Sequence, residues 1–319
     1  MKVSMIVPVY NAEKYIERCV ESMICAIKQY YNSEGVISSH ENCEILLVDN
    51  GSSDRSWEIL EQIRTKCPKI VQIMRYTEPG AAVVRNYGIR KARGKYVWFI
   101  DADDEIARDA ILKLVNCAEK NAADLVMMGA SRIYADGHTD YLSAVKPSEP
   151  NFKSRFVRYG AGPWQFLIRR EWWVQNKIKF REGMIHEDME LISSLILYSP
   201  RFAATDEPLY LYYQNDESVL HKKVFDAHVF DIFPALDGLY RKFRDHNATE
   251  QYHDELEWFF IWNLLIDAAK DFGKWPEARA GFARSRKMLR KYFPTWKKNR
   301  FLRQKPLKLR LRVVLNYCK

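Results

Sequence analysis

The feature that most constrains this chain is an alternation that runs through its first 130 residues. Five short runs rich in Val, Ile and Leu (residues 3–9, 44–48, 70–75, 96–100 and 125–129) are separated by stretches with helical periodicity. Ile16, Cys19, Val20, Met23, Ile24 and Ile27 recur at helical spacing, with Asn11 placed to cap that helix. Trp57, Leu60 and Ile63 face inward from a helix predicted over 54–66, and further helices are expected over 81–92 and 108–121. Strands joined by crossover helices of this length build a mostly parallel sheet covered on both faces. Ligands of such sheets bind in the crevice at the carboxyl ends of the strands. The polar punctuation falls there: Pro8-Val9-Tyr10 after the first strand, Asp49 after the second, Asp101 and Asp103 after the fourth.

The fourth strand, Lys95 to Asp104, is an apolar, aromatic run that ends in three carboxylates. Asp-x-Asp on an extended backbone puts two acidic side chains on one side. That suits a hard divalent cation shared with substrate phosphates; capping of the following helix is the plainer alternative. No G-x-G-x-x-G follows the first strand and no P-loop is present, so phosphate binding falls to metal and Arg. Beyond residue 130 the alternation loosens. Gln29–Cys43, with Gly35, reads as a polar surface loop. Gly162-Pro163-Trp164 is an aromatic-bearing loop, a helix is expected from about Asp188 to Tyr198, and Tyr210–Tyr213 reads as a short strand before a polar loop through His221. The pattern from 225 to 292 is helical, clearest over Glu255–Phe272.

Apolar content of 47% with 29% charged residues describes a globular protein. The six cysteines are scattered without metal-ligand spacing, and several fall on apolar faces of predicted helices, as expected of reduced, buried thiols in a cytosolic protein. The N-terminal apolar run is too short for a signal peptide, and the longest apolar run, Trp258–Ile266, is about half a membrane span. Charge is unevenly placed. From Arg284 to Lys319 there are fourteen Lys and Arg and no acid, so against a whole-chain net charge of +9 the first 283 residues carry −5.

In order and interval, these motifs resemble glycosyltransferase family 2 over roughly residues 2–220: Ile6-Val7-Pro8-Val9-Tyr10-Asn11, Val48-Asp49-Asn50-Gly51-Ser52-Ser53-Asp54, Gly80-Ala81-Ala82-Val83-Val84-Arg85-Asn86-Tyr87-Gly88, Phe99-Ile100-Asp101-Ala102-Asp103-Asp104 and His186-Glu187-Asp188. Two positions depart from the family pattern: Glu78 where Asn is frequent, and Gln214 where an Arg often follows the late tyrosines. The resemblance implies a GT-A fold, a Rossmann-like mostly parallel sheet flanked by helices, with a C-terminal helical region. The expected layout is a catalytic domain over 1–221, its nucleotide-sugar half ending near 105 and its acceptor half spanning 106–221. A helical region over 222–292 and a basic tail over 293–319 follow.

The implied activity is inverting, Mn²⁺- or Mg²⁺-dependent transfer from a UDP-sugar to a hydroxyl of a glycan or lipid-linked saccharide in surface polysaccharide synthesis. By resemblance, Pro8, Tyr10 and Asp49 hold the base and ribose, with the Asp49 carboxylate on the uracil imide. Arg85 contacts the diphosphate or sugar, Asp101 with Ala102 the ribose or donor sugar, and Asp103 the metal. His221 is a candidate further metal ligand, or a solvated loop residue. Asp188 is the implied general base, against a plain helix N-terminal role, and Glu187 orients the site or caps the helix. Trp164 either stacks on an acceptor sugar or packs in the core. A sugar-1-phosphate nucleotidyltransferase would want a Gly-rich, Lys/Arg-bearing signature where Pro8-Val9-Tyr10-Asn11 stands. A non-catalytic carbohydrate-binding protein is opposed by intact Asp101, Asp103 and Asp188. The basic tail, interleaved with leucines, fits an anionic membrane surface and so a peripheral position at the inner face of the cell membrane; a solvated tail, or one that binds nucleic acid, is the alternative. The acidic body and the absence of a recognition motif argue against nucleic acid. Leu307–Val313 alternates with period two, which does not by itself call for a helix.

Overall fold

The computed structural model describes residues 1–33, 42–214 and 225–319; Gly35 and the candidate ligand His221 lie outside the described residues. The chain forms two compact units, and neither is contiguous. One comprises Met1–Pro150, Gly162–Gly183 and Pro200–Asp216; the other comprises Asn151–Ala161, Met184–Ser199 and Glu217–Lys319. The expected blocks 1–221, 222–292 and 293–319 are therefore interleaved: two segments of the anticipated catalytic domain pack with the C-terminal helices.

Elements are numbered in chain order through both units. The first unit is built on a nine-stranded sheet. Its strands are β1 (Val3–Val9), β2 (Cys43–Asp49), β3 (Val71–Arg75), β4 (Tyr96–Phe99), β5 (Glu105–Ile106), β6 (Leu125–Ile133), β7 (Thr139–Leu142), β8 (Phe166–Arg169) and β9 (Phe202–Tyr213). The order is β3-β2-β1-β4-β8-β6-β9-β5, with β7 beside β6. The sheet is parallel from β3 to β4, as the crossover helices require. Beyond β4 it is mixed, because β8 enters antiparallel between β4 and β6.

Strands β1, β2 and β4 are buried on both faces. Helix α1 (Ile16–Ser33) supplies Ile16, Cys19, Val20, Met23 and Ile27 to one side. It runs five residues into the stretch expected to be loop, with Tyr30 buried. On the other side α3 (Ala81–Lys91) packs so tightly on β1 that a Cβ at Gly88 would lie 2.4 Å from Ile6 Cγ2. Helices α2 (Ser56–Lys66) and, after β4, α4 (Ala110–Lys120) pack beside α1. Asn11 does not cap α1. It takes a left-handed conformation (φ 48°), donates its N–H to Ser52 Oγ and accepts from the Ser53 N–H.

Helix α6 (Arg170–Gln175) follows β8 in the first unit, and the second unit is helical. It contains α5 (Phe152–Tyr159), α7 (Glu187–Leu191) continued by a 3₁₀ turn to Tyr198, α8 (Ile232–Asp245) and α9 (His253–Trp262). A π turn (Asn263–Asp267), α10 (Ala268–Lys274), α11 (Ala280–Tyr292), α12 (Arg300–Arg303) and α13 (Leu307–Cys318) complete it. Phe243, Phe260, Phe272 and Phe293 form its buried aromatic centre, with Phe260 and Phe293 edge-on at 5.0 Å.

The basic tail is not an appendage. Trp296, Leu302 and Val313 are buried, and Asn299 caps α12 while donating to Glu257 Oε2. Leu307 to Val313 is helical despite its period-two alternation, because Val313 and Asn316 fall on one inward face. All six cysteines are free; Cys19 and Cys43 are buried, Cys67 and Cys117 half-buried, and Cys25 and Cys318 exposed. Among the described residues no helix is long and apolar enough to cross a membrane.

Candidate active site

Parallel register levels the ends of the first three strands: Val9 lies opposite Asp49, and Asp49 opposite Arg75. The two following loops are then laced together. The Ala12 N–H donates to Ser56 Oγ, the Glu13 N–H to Asp54 Oδ2, and the Arg55 N–H to Glu13 Oε2. This sewing leaves Tyr10 proud at the edge, 62% exposed, an arrangement in which an aromatic face is available to a flat ligand. Pro8 is half-buried within β1 beneath it.

Asp49 is only 2% exposed. Its Oδ1 accepts from the Ser52 N–H at 3.3 Å and its Oδ2 lies 3.9 Å from Arg75 Nε. Arg75, which the sequence did not single out, lies over the Trp57 ring at 4.0 Å. Asn50 is a second unsuspected element: its amide donates to the Tyr76 and Glu78 carbonyls and accepts from the Gly80 N–H, folding the loop before α3 against the end of β2. Gly80, at φ 119°, adopts a backbone that residues with a Cβ avoid.

Arg85 projects from the buried face of α3 and donates to Asp101 Oδ1 at 3.1 Å. Its guanidinium sits 5.5 Å from the Phe180 ring, and Asn86 holds Phe180 through both its backbone N–H and carbonyl. One carboxylate of the Asp-rich tip is thus paired to a nearly buried cation, an alignment that costs little further ordering when an anionic ligand arrives.

The three acids of that tip divide by environment. Asp101 and Asp103 are half-buried, while Asp104 is fully buried and Ala102 nearly so. Asp104 Oδ1 accepts from the Tyr213 N–H and its Oδ2 from the Tyr210 hydroxyl, which in turn accepts from the Asp101 N–H. Burial, then the charges of Asp101 and Asp103, pushes the Asp104 carboxyl up to about 9. It therefore ties β9 to the tip and is not a ligand candidate. Replacing Asp104 by Ala strands the Tyr213 N–H and the Tyr210 hydroxyl, at a cost of about 2 kcal/mol. Thermal denaturation should show Asp104→Ala several degrees below wild type and Asp104→Asn, which keeps the carbonyl acceptor, within about 1 kcal/mol of it; equal loss in both would refute the role.

Asp101 and Asp103 are hard, acceptor-only oxygen donors, so the residues present fit Mn²⁺ or Mg²⁺ held jointly with a diphosphate. In the second unit His253, Asp254 and Glu257 also bring ligand atoms within 4.8 Å of one another, but Arg300 pairs with Asp254 at 2.9 Å and supplies the positive charge there.

Trp164 resolves toward packing. Its ring is 8% exposed and stacks on Tyr210 at 4.5 Å and Tyr212 at 5.2 Å, while its carbonyl accepts from Trp98 Nε1. The faces an acceptor sugar would need are taken by two tyrosines, which corrects the acceptor-binding expectation.

Glu187 and Asp188 lie at the start of α7, in the second unit. His186 enters the helix in a left-handed conformation (φ 67°), and Asp231 accepts from the preceding Ile185 N–H at 3.0 Å. Burial is the main force lowering the His186 imidazole's proton affinity, against the opposing charges of Asp188, Asp231 and Asp271. Glu187 is buried, as is Glu190, whose carboxylate fills the space a Cβ on Gly238 would need. Asp188 is half-buried, and its Oδ1 accepts from the Met189 N–H.

Comparison with known proteins agrees with this geometry. Residues 4–175 match the family described as Glycosyl transferase family 2. The glycosyltransferase EpsJ of Bacillus subtilis is 30% identical over 257 residues, 76% of this chain and 70% of EpsJ. The glycosyltransferase YibD of Escherichia coli is 28% identical over 267 residues, 76% of this chain and 72% of YibD. In three dimensions the chain superposes on residues 1–349 of S. aureus TarS in complex with UDP-GlcNAc, with a TM-score of 0.72 at 18% identity, covering 99% of this chain and 89% of that one. A mannosyltransferase from Pyrobaculum calidifontis in complex with GDP-Man and Mn²⁺ gives 0.53 at 16% identity, covering 100% and 86%. The fold is GT-A, the nucleotidyltransferase and non-catalytic alternatives fall away, and the chain belongs to glycosyltransferase family 2.

Proposed function

We propose that this enzyme is an inverting transferase that moves a sugar from a UDP-sugar to a hydroxyl of a glycan or lipid-linked saccharide in surface polysaccharide synthesis. The observation that carries the reading is the gathering of Tyr10, buried Asp49, and the Arg85–Asp101 pair with Asp103 at the carboxyl ends of β1, β2 and β4. TarS is in complex with UDP-GlcNAc. A poly(ribitol-phosphate) beta-glucosyltransferase of Bacillus spizizenii is 29% identical over 181 residues, 56% of this chain and 27% of its own. The first supports a UDP-sugar donor and the second a polymeric acceptor.

In this mechanism Asp49 accepts from the uracil imide N–H while Tyr10 stacks on the base. Asp103, with Asp101 facing the ribose or donor sugar beside it, would hold the cation, which when bound would supply neutralisation of the diphosphate leaving group. Arg85, held in place by Asp101, adds a fixed positive charge beside that group. Asp188 takes the proton of the acceptor hydroxyl as its oxygen forms the new bond to C1. The old C1–oxygen bond breaks with its electron pair leaving on UDP, and the configuration at C1 inverts. Incubating the protein with Mn²⁺ and a panel of UDP-sugars, and measuring UDP release, tests this. Release with at least one donor is expected; no release together with no UDP binding would sink the reading.

We also propose that α13 rests on an anionic membrane surface. Leu307, Leu311, Val314 and Leu315 follow i, i+4, i+7, i+8 spacing and are all exposed, Leu307 and Leu315 to 64%, with Lys308, Arg310 and Arg312 between them. An amphipathic helix of this kind gains from each buried leucine and from each lysine or arginine near the lipid charge. Removing residues 296–319 would strip Trp296 and Leu302 from the core, so point changes are the cleaner probe. The Leu311→Glu/Leu315→Glu pair forfeits about 2 kcal/mol per leucine and should lower partitioning onto phosphatidylglycerol vesicles more than tenfold with UDP release unchanged. Unaltered partitioning would end the idea.

A further inference from the structure

The second unit contains a cavity of about 390 Å³, within the size range of small-ligand sites. Helices α5 and α9, the π turn and the segment between α12 and α13 enclose it. Its walls carry Arg155, Arg158 and Lys305 around the rings of Trp258 and Trp262, with Asp267 the one acid lining it. Asp267 is already matched by Lys270 at 3.0 Å, so the lining is net cationic.

Three features set this cavity apart from a packing defect. Trp258 and Trp262 stand one helical turn apart with centroids 5.7 Å from each other, and Trp262 is 37% exposed on a helix whose other aromatic residues are buried. An open aromatic face beside cations is available to a ligand that carries both an apolar face and an anion. Next, the Arg158 guanidinium is fixed over the Phe301 ring at 3.9 Å, and its buried Nε finds no acceptor among the described residues. The carboxylate that offsets its charge, Glu255, is already engaged by Arg300 and Ser154. Finally, α9 gives way to π geometry at Asn263–Asp267 on the cavity wall, where Asn263 donates back to the Phe259 carbonyl at 2.8 Å. Such insertions are rare in helices and concentrate at functional sites.

We propose that this cavity binds an oxyanion-bearing segment of the acceptor saccharide, with Trp262 stacking on a sugar or polyol face and Arg155, Arg158 and Lys305 holding a phosphodiester or carboxylate. Guanidinium groups suit either anion through paired hydrogen bonds, and aromatic faces suit the C–H surface of a sugar. The inference rests on reading the chain as a saccharide transferase, but it is tested by binding alone.

Isothermal titration of the full chain, without donor, would use three oligomers of similar length: a polyol phosphodiester, a galacturonic acid oligomer and a neutral glucose oligomer. At least one anionic oligomer is expected to bind tenfold or more tighter than the neutral one, and whichever binds assigns phosphate or carboxylate as the anion. Trp262→Ala and Lys305→Gln should each weaken that binding about tenfold while leaving UDP affinity and Tm at wild-type values. Arg158→Gln should do the same, and because Arg158 is part of the packing, the Trp262 and Lys305 variants decide the matter if it unfolds. Equal binding of the neutral oligomer, or full affinity in both Trp262→Ala and Lys305→Gln, overturns the proposal. So does affinity confined to phosphatidylglycerol vesicles. Failure of wild type to bind UDP would instead count against the transferase mechanism, so the two failures are distinguishable.

Discussion

Asp188→Asn is expected to bind UDP as wild type does and to transfer sugar about 10²–10⁴-fold more slowly, the range set by loss of a general base. The change is conservative at the level of structure. Asn keeps a carbonyl oxygen for the Met189 N–H, and the entry to α7 is held independently by Asp231 on the Ile185 N–H and by the left-handed His186. What Asn cannot do is accept a proton from an attacking hydroxyl. The loss should therefore appear in kcat, with donor KM and Tm little changed. Glu187 provides the contrast. It is buried beside Asp188 in sequence, so Glu187→Gln should show its effect first in Tm. A near wild-type rate for Asp188→Asn would return Asp188 to the lesser role of an acid favoured at a helix N-terminus.

The parallel half of the sheet was legible because its strands are buried on both faces and its helices carry a single apolar stripe. Both patterns are written locally, in Ile45–Val48 and in Ile16–Ile27. The polar carboxyl edge of the sheet was legible for the same reason, since strand ends are where polar residues interrupt. What could not be read depends on partners far along the chain. Of Asp101, Asp103 and Asp104, nothing local says which is buried; the choice is made by Tyr210 and Tyr213 on β9, more than a hundred residues on. Trp164 follows a Gly-Pro turn that could have offered it to a sugar, and Tyr210 and Tyr212 take its faces instead. The four-residue β8 is too short to announce that it will slip antiparallel between β4 and β6. In the tail, Leu307–Val313 satisfies a strand's alternation, but the inward pair Val313 and Asn316 fits only a helix, and burial settles the contest that propensity leaves open.

The division among the three acids leads to the second large effect. Asp103→Ala should leave Tm little changed, because other groups hold the frame of the tip. Arg18 Nη2 holds the Asp103 carbonyl at 2.8 Å, Cys19 Sγ reaches the Asp101 carbonyl at 3.6 Å, and Asp104 fastens β9 from beneath. A diphosphate, by contrast, is left with fewer neutralising partners. UDP affinity measured with Mn²⁺ should fall about 100-fold, in keeping with the several kcal/mol a bound cation contributes to phosphate charge, while UDP affinity measured in EDTA should match wild type. Transfer should be lost with it. This pattern is the inverse of that expected for Asp104→Ala, which lowers Tm. If Mn²⁺ strengthens UDP binding equally in wild type and Asp103→Ala, the cation does not depend on Asp103. Charge neutralisation would then rest on Arg85, and Arg85→Gln should produce the same loss of UDP affinity with or without EDTA.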